Sequence, residues 1–216
     1  MRYFSHVARF WNEQTLKPKE VIVVDYGCPE GVGDWVEQTF PGWIVVRVTE
    51  DTELYNRSRA RNCGGVVATG EAIFFADADV CPCPDMIERY ADALLSGYDL
   101  AVYTDMWVPG GWYLQRGTCL VYHDLYHQVR GYDETYIWYG YEDPDFHDRC
   151  EEAGGKRKLM FNPFTMSQGG PEDRHEGATD YSPIKDTAES LRVAGEWYKR
   201  RKERGLVNPG GYGRCE

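Results

Sequence analysis

The sequence contains no long hydrophobic run. No window of its 216 residues approaches the roughly 20 consecutive apolar residues that a membrane-spanning helix requires. The first residues, MRYFSHVARFWNEQ, also lack the order of a signal peptide, in which a charged segment precedes an apolar one. We therefore expect a chain without a membrane span and, as the default, a cytoplasmic location.

Basic residues are scarce relative to acidic ones. The chain has 24 Lys and Arg against 35 Asp and Glu, which gives a formal net charge of -11. Such a charge repels nucleic acids and anionic membrane surfaces, so nucleic acid is not expected as a partner. Neutral or cationic ligands, or anions held by a metal, are easier to bind.

Cysteines are few and irregularly spaced. Seven are present, an odd number in a chain of this length, which favours reduced thiols over a disulfide framework. Cys81 and Cys83 have no second pair at zinc-ligand spacing, so zinc is not expected. Internal repeats and low-complexity segments are also lacking, and 42% hydrophobic residues suffice for one core.

Short apolar runs alternate with helical patterns along the chain, which predicts an α/β protein with a mostly parallel sheet flanked by helices. The basic run from Lys199 to Lys202 is interpreted as a solvated helix face. The predicted strands are Val21 to Val24, Trp43 to Val48, Ala72 to Ala76, Leu100 to Thr104, Thr118 to Tyr122 and Lys158 to Phe161. The predicted helices are Phe4 to before Lys17, Asn56 to about Ala68, Asp85 to Gly97, and about Ile184 to Glu203.

Carboxylates follow two of the predicted strands at their carboxyl ends, where α/β sheets bind ligands. Asp25 closes the first strand, and Asp77 and Asp79 close the run AIFF. In extended backbone, residues two apart point to the same side, so Asp77 and Asp79 could converge on one cation or one ribose. Carboxylate oxygens suit Mg²⁺ or Mn²⁺ together with substrate phosphates. The alternative is a strand-end turn with solvated acids.

A second acidic stretch, YGYEDPDFHDRCEEAGG, has the pattern of a helix that starts at Glu142 and Asp143 and stops at Gly154. Pro144 then takes the first helical position. A carboxylate at a helix N-terminus is stabilised as the anion by the macrodipole and the free N–H groups. From the local sequence, Asp143 is either only a cap or part of a site.

The run YNRSRARNCGGVVATGEAIFFADADVCPCPDM resembles the nucleotide-sugar-binding half of GT-A fold glycosyltransferases, in particular family 2 and the β-1,4-galactosyltransferase type. The resemblance implies that Asp79 binds a divalent metal, Mn²⁺ or Mg²⁺, which bridges the diphosphate of the donor. Asp77 would lie near the ribose or the water shell of the metal. Arg57 and Arg61 correspond to arginines near the uracil and phosphates, and Asp25 to an acid that contacts the base.

The motif Gly131-Tyr-Asp-Glu134, followed by Tyr139-Gly-Tyr-Glu142-Asp143, resembles the acceptor-side signature of the same enzymes. It implies Asp143 as general base and Glu142 as acceptor anchor, with the two roles open to exchange. His175, in a late Gly-rich loop, would complete the metal shell. Tyr139 in place of the usual Trp, and Pro144 in place of a third acid, leave the acceptor open.

Aromatic residues cluster in this half of the sequence, where they either fill the core or stack on sugar rings. They are Trp107, Trp112, Tyr113, Trp138, Tyr139 and Tyr141.

Taken together, the resemblance implies a GT-A (Rossmann-like) fold and a metal-dependent, inverting transfer of a sugar from a nucleotide-sugar donor to a hydroxyl acceptor. UDP is the expected nucleotide and a glycan the expected acceptor. We expect a single domain, with a donor half over about residues 1–104, an acceptor half over about 105–182, and a C-terminal helix and tail over 183–216.

Two alternatives stay open. Members of these families open with a strand before the helix that matches Phe4 to Leu16, and that strand is missing here, so a truncated or inactive sugar-binding or nucleotide-binding protein of the same fold is one alternative. A nucleotidyltransferase is another, although the Gly-rich basic loop typical of that class is not visible. The intact acidic motifs favour the enzyme.

Overall fold

A computed structural model describes residues 4–49, 54–104, 115–161, 166–167 and 183–215. Helices and strands alternate through most of these residues. In chain order the elements are α1 (Phe4–Asn12), β1 (Ile22–Asp25), α2 (Val32–Thr39), β2 (Ile44–Arg47), α3 (Arg57–Val67), β3 (Ala72–Phe75), β4 (Val80–Cys81), α4 (Met86–Leu95), β5 (Leu100–Thr104), β6 (Gln115–Tyr122), α5 (His123–Gln128), α6 (Glu142–Glu152), β7 (Arg157–Phe161), β8 (Met166–Ser167) and α7 (Thr187–Lys199).

The contacts divide the chain into two compact units, each built from three separate segments. The first unit contains Met1–Lys19, Gly70–Gln128 and His147–Gln168, and the second contains Glu20–Thr69, Val129–Phe146 and Gly169–Glu216. Both units therefore draw on both of the halves that the sequence predicts along the chain. The assignment of those halves to donor and acceptor stays a prediction.

The first unit contains a four-stranded sheet in the order β3-β6-β5-β7. β5 pairs in parallel with β7, and β6 runs antiparallel to both β3 and β5. All five residues of β5 are buried, as its continuous apolar run predicts for a central strand. α4 covers this sheet with Met86, Tyr90 and Leu94, which recur at helical spacing and pack in one cluster with β5 and β6.

The second unit contains the parallel pair β1 and β2, in which Ile22 lies opposite Ile44. α3 begins where Asn56 caps it, because the Asn56 side chain accepts a hydrogen bond from the backbone N–H of Arg59 at 2.9 Å. The buried face of α3 consists of small and polar residues. Neighbouring backbone can therefore approach this helix closely.

The α/β class predicted from the alternation is confirmed, with several local corrections. Asp77 to Val80 form a turn, closed by a hydrogen bond from the Val80 N–H to the Asp77 carbonyl at 3.1 Å, where extended backbone was expected. The first helix ends at Asn12 and the last at Lys199, both earlier than expected. α2, α5 and the antiparallel direction of β6 were not predicted.

Every helix among the described residues is too short or too polar to cross a membrane.

Candidate active site

The first turn of α6 carries a buried pair of carboxylates, Glu142 and Asp143, called here the helix acid pair. Their residues are 6% and 9% exposed. The chain enters this turn sharply, because Gly140 and then Tyr141 have positive φ values of 93° and 67°. A positive φ in a non-glycine residue is strained and is typical of functional segments. The helix begins at Glu142, so Asp143 lies inside the first turn and is not the N-cap that Pro144 suggested.

Arg61 of α3 lies against the helix acid pair. Its Nη1 is 2.9 Å from Oδ1 of Asp143 and 3.6 Å from Oε1 of Glu142. The three side chains are only 8% to 12% exposed, and the guanidinium also stacks on the Tyr132 ring, 4.9 Å from its centroid. Two carboxylates at one helix N-terminus repel each other, and the arginine supplies the positive charge that holds them together. The structure thus joins three residues that the sequence singled out separately.

One oxygen of the helix acid pair has no partner among the described residues. The Oε2 atom of Glu142 is buried without a hydrogen bond to any of them. A buried acceptor without a donor costs free energy, so such atoms in native proteins commonly face a ligand or water. A hydroxyl group of a bound molecule could supply that donor.

Asn62, which was not predicted from the sequence, fastens the loop before α6 to α3. The fully buried Asn62 donates hydrogen bonds to the Tyr132 carbonyl and to Oε1 of Glu134, and accepts one from the Tyr132 N–H, each at 2.8 Å. Asn56 donates to the Glu134 carbonyl at 2.8 Å. A polar residue between Ala60 and Cys63, on the inward face of a helix, is the signal that could have identified it.

The aromatic residues of the loop before α6 pack in the second unit. Trp138 meets Trp197 edge to face at 5.8 Å, and Tyr141 lies 5.4 Å from Tyr198. The Tyr139 ring carries the guanidinium of Arg57 at 5.0 Å. None of the three loop aromatics is fully buried. Trp107, Trp112 and Tyr113 lie outside the described residues.

Asp77 and Asp79, called here the turn acid pair, belong to the first unit and follow β3. Both are half-buried. They lie in the turn from Asp77 to Val80, which separates β3 from β4. Their oxygens are the donors that Mg²⁺ or Mn²⁺ prefers, and such ions take their remaining ligands from water and substrate phosphates. The chemistry of these oxygens suits a divalent cation, and the binding of one stays a prediction.

Further ligands for such an ion are not shown. In the described part of the chain, no group of three or more His, Cys, Asp or Glu residues could hold a metal ion. His175 lies outside the described residues, so its assignment as a ligand stays a prediction.

Asp25, at the end of β1, organises the loop that leads into α2. Its Oδ1 accepts a hydrogen bond from the Cys28 N–H at 2.8 Å, and its Oδ2 accepts one from the Gly33 N–H at 3.1 Å. A Cβ on Gly33 would lie 2.8 Å from that Oδ2, so a larger residue at this position would displace the Asp25 carboxylate. The structure therefore shows a loop-holding role, and contact of Asp25 with a nucleobase stays a prediction.

The family profile of Glycosyl transferase family 2 matches residues 7–150, which is more than half of the chain. This chain belongs to glycosyltransferase family 2. A protein of Mycobacterium tuberculosis (strain CDC 1551 / Oshkosh), whose name describes it as a glycosyltransferase, is 27% identical to this chain over 110 residues. The match covers 50% of this chain and 32% of that protein, so this chain spans only part of the length of its relative.

Solved structures of S. aureus TarS share the fold. TarS residues 1–349 in complex with UDP superpose with a TM-score of 0.63 at 16% identity, over 96% of this chain and 70% of TarS 1–349. The complex with UDP-GlcNAc gives a TM-score of 0.57 at 16% identity, over 94% of this chain and 70% of the other. Another TarS structure, of a longer chain, also gives a TM-score of 0.63 at 16% identity. The match covers 97% of this chain and 42% of that one. The GT-A fold expected from the sequence is confirmed.

Proposed function

We propose that this family 2 chain transfers a sugar from a nucleotide-sugar donor, a UDP-sugar, to a hydroxyl group of a glycan acceptor, with inversion at the anomeric carbon. The observation that carries the proposal is the helix acid pair, which is buried, charge-compensated by Arg61 and still has one oxygen without a partner among the described residues. UDP as the nucleotide is supported by the TarS complexes with UDP and UDP-GlcNAc.

In the proposed mechanism, Asp143 removes the proton of the attacking acceptor hydroxyl as that oxygen bonds to the anomeric carbon. Glu142 accepts a hydrogen bond from another acceptor hydroxyl through its Oε2 atom and so orients the sugar. A cation beside a carboxylate weakens it as a base, so the contact between Arg61 and Asp143 must lengthen in the ternary complex. An exchange of roles between the two acids remains the alternative that the acceptor motif left open.

The turn acid pair would hold a divalent cation, with Asp79 as the direct ligand and Asp77 beside it. When bound there, the ion would supply positive charge to offset the negative charge on the departing nucleoside diphosphate. Arg57, Arg61 and Asp25 are proposed to contact the nucleotide, and His175 the metal, as the resemblance to the family implies. No nucleophile from the chain is needed, because inversion takes a single displacement.

The donor is tested first by thermal unfolding with UDP, GDP, CDP and dTDP, each with and without Mn²⁺. A ligand at about a hundred times its dissociation constant adds about 2.7 kcal/mol to the free energy of unfolding. We expect UDP to stabilise only when Mn²⁺ is present. Stabilisation by a different nucleotide would correct the donor, and stabilisation by none would favour the inactive, binding-protein alternative.

Transfer itself is then measured as release of UDP from a set of UDP-sugars in the presence of oligosaccharide acceptors. We expect one donor and acceptor combination to release UDP faster than the donor alone does. Release that no acceptor accelerates would contradict a transferase and indicate a nucleotide-sugar-binding protein or hydrolase.

A further inference from the structure

The C-terminal segment, residues 200–215, lies beyond the residues that match the family profile. It nevertheless places one arginine, Arg204, between Asp133 of the first acceptor-side motif and Asp145, which lies two residues after the second motif. We propose that Arg204 is a positioning residue for the transfer reaction, which holds Asp133 and Asp145 so that the first turn of α6, with Asp143, stays in its reactive place. This inference rests on the proposed function.

Arg204 bridges two chain segments through its two terminal nitrogens. Nη1 is 2.5 Å from Oδ2 of Asp133, and Nη2 is 2.9 Å from Oδ1 of Asp145. Nη2 also donates to the Tyr136 hydroxyl at 3.3 Å. Asp133 belongs to the motif Gly131-Tyr-Asp-Glu134, and Asp145 belongs to the first turn of α6. We call Arg204, Asp133, Tyr136 and Asp145 the Arg204 cluster.

The Arg204 cluster is buried, so its charges interact strongly. The side chains of Asp145, Asp133 and Arg204 are 0%, 4% and 13% exposed. Water screens an exposed ion pair until it contributes little, whereas a buried charge left without its partner is strongly destabilising. One guanidinium pairs here with two buried carboxylates, and lysine could not reproduce its planar, two-directional contact.

Aromatic rings fix the direction in which the guanidinium points. It lies 4.9 Å from the centroid of the Trp197 ring and 5.2 Å from that of the Tyr136 ring. The Trp197 indole donates to the Thr135 hydroxyl at 3.1 Å, and that hydroxyl donates to Oδ1 of Asp133 at 2.6 Å. Each oxygen of Asp133 is therefore engaged, one by Arg204 and one by Thr135.

The same segment secures the loop through Asn208. The side chain of Asn208 donates to the carbonyls of Tyr132 at 2.7 Å and Arg130 at 2.9 Å, and accepts from the Glu134 N–H at 3.1 Å. Asn62 of α3 holds this stretch from its own side. The loop is thus attached at several points, and the Arg204 cluster connects it to the first turn of α6.

The charge of Arg204 bears directly on the chemistry. Asp145 lies two residues after Asp143 in the same helical turn. If Arg204 is neutralised, Asp145 becomes a buried negative charge without this partner, close to the proposed base. A like charge nearby disfavours the ionised form of a carboxyl group, so the base would then ionise at a higher pH.

The test compares Arg204→Gln and Arg204→Lys with a matched control, Arg192→Gln. Arg192 is an exposed arginine of α7 that pairs only with Glu189 and Glu196 of the same helix among the described residues. For each full-length variant, kcat, the KM of the donor, the pH profile of kcat/KM and the thermal midpoint are measured.

We expect Arg204→Gln to lower kcat by about 10- to 100-fold, as small misplacements of catalytic groups do, with little change in the donor KM. The acid limb of its pH profile should move to higher pH. Arg204→Lys keeps the charge, so the acid limb of its pH profile should stay where it is in the wild type, while kcat recovers only in part. The same variant provides the test if Arg204→Gln does not fold. Arg192→Gln should match the wild type.

A lower thermal midpoint with unchanged kcat and acid limb would overturn the inference, because Arg204 would then only stabilise the fold. If the wild-type chain transfers no sugar at all, the proposed function fails. Hydrogen exchange over residues 131–146 then decides separately whether Arg204 holds this segment. Faster exchange in Arg204→Gln than in Arg192→Gln would show that Arg204 holds the first turn of α6 in place even without a transfer reaction, and equal exchange would overturn that contact as well.

Discussion

The two acid pairs of this chain differ in how deeply they are buried. The helix acid pair, Glu142 and Asp143, is buried in a helical turn and has its counter-charge built into the chain as Arg61. The turn acid pair, Asp77 and Asp79, is half-buried after β3, and we propose that it binds a cation. The difference teaches that two similar sequence patterns can lie in different environments, and we propose that one supplies a base and the other a metal ligand.

Asp143→Asn should give the largest effect on turnover. The amide has nearly the same shape as the carboxylate but cannot take a proton, so we expect the rate of transfer to fall by about 10²- to 10⁴-fold. The measurement is the initial rate of UDP release with saturating acceptor. Glu142→Gln is the informative companion, because a larger loss there than in Asp143→Asn would exchange the roles of the two acids.

Arg61→Met should give the largest effect on stability. It leaves two buried carboxylates without this counter-charge, and breaking a buried ion pair on one side costs about 3 to 5 kcal/mol of unfolding free energy. Chemical denaturation measures the loss. Arg192→Gln, at an exposed position, is the control and should change stability little. Equal effects of the two substitutions would show that the helix acid pair does not depend on Arg61.

Asn62→Ala should also lower stability, but by less than Arg61→Met does. It removes three hydrogen bonds that fasten the loop to α3, and we expect a loss of about 1 to 3 kcal/mol of unfolding free energy. Exposed Asn12, at the end of α1, offers the control Asn12→Ala. A transfer rate that is unchanged in Asn62→Ala would contradict the view that α3 organises the helix acid pair.

A pH dependence that belongs to neither acid pair should be the smallest effect. Burial and the neighbouring His123, whose Nε2 is 3.1 Å away, lower the pKa of His127 from its ordinary value of 6.5. As the pH falls, His127 therefore takes up its proton at a higher pH in the unfolded chain than in the folded one. The contribution of His127 to stability is present above pH 6.5 and is lost as the pH drops through the lowered folded-state pKa.

His127→Gln should remove that part of the dependence, measured as the thermal midpoint against pH. An unchanged slope would show that other groups carry it.

Most strands could be predicted from the sequence because short continuous apolar runs between turn residues are typical of buried strands in α/β proteins. The direction of β6 could not, since periodicity is the same in parallel and antiparallel pairs. α2 and α5 were missed because they have eight and six residues, and α2 follows Gly31, which provides no side-chain cap. Such short helices leave only a weak periodic pattern.

The acidic motifs could be recognised from local spacing, but their partners could not. Arg61 and Asp143 are distant in sequence, so only the fold brings them together. The basic run from Lys199 to Lys202 was interpreted as a solvated helix face, and Lys199, Arg200 and Lys202 are exposed. The side chain of nearby Arg204, in contrast, is only 13% exposed and lies between two carboxylates. Composition reports that a charge is present and does not report whether it is buried.

The most direct test of the different roles of the two pairs is thermal unfolding with UDP and Mn²⁺ in the wild type, Asp79→Ala and Asp143→Asn. We expect Asp79→Ala to abolish the Mn²⁺-dependent stabilisation by UDP and Asp143→Asn to retain all of it. Retained stabilisation in Asp79→Ala, or its loss in Asp143→Asn, would contradict the separation of metal and base between the two pairs.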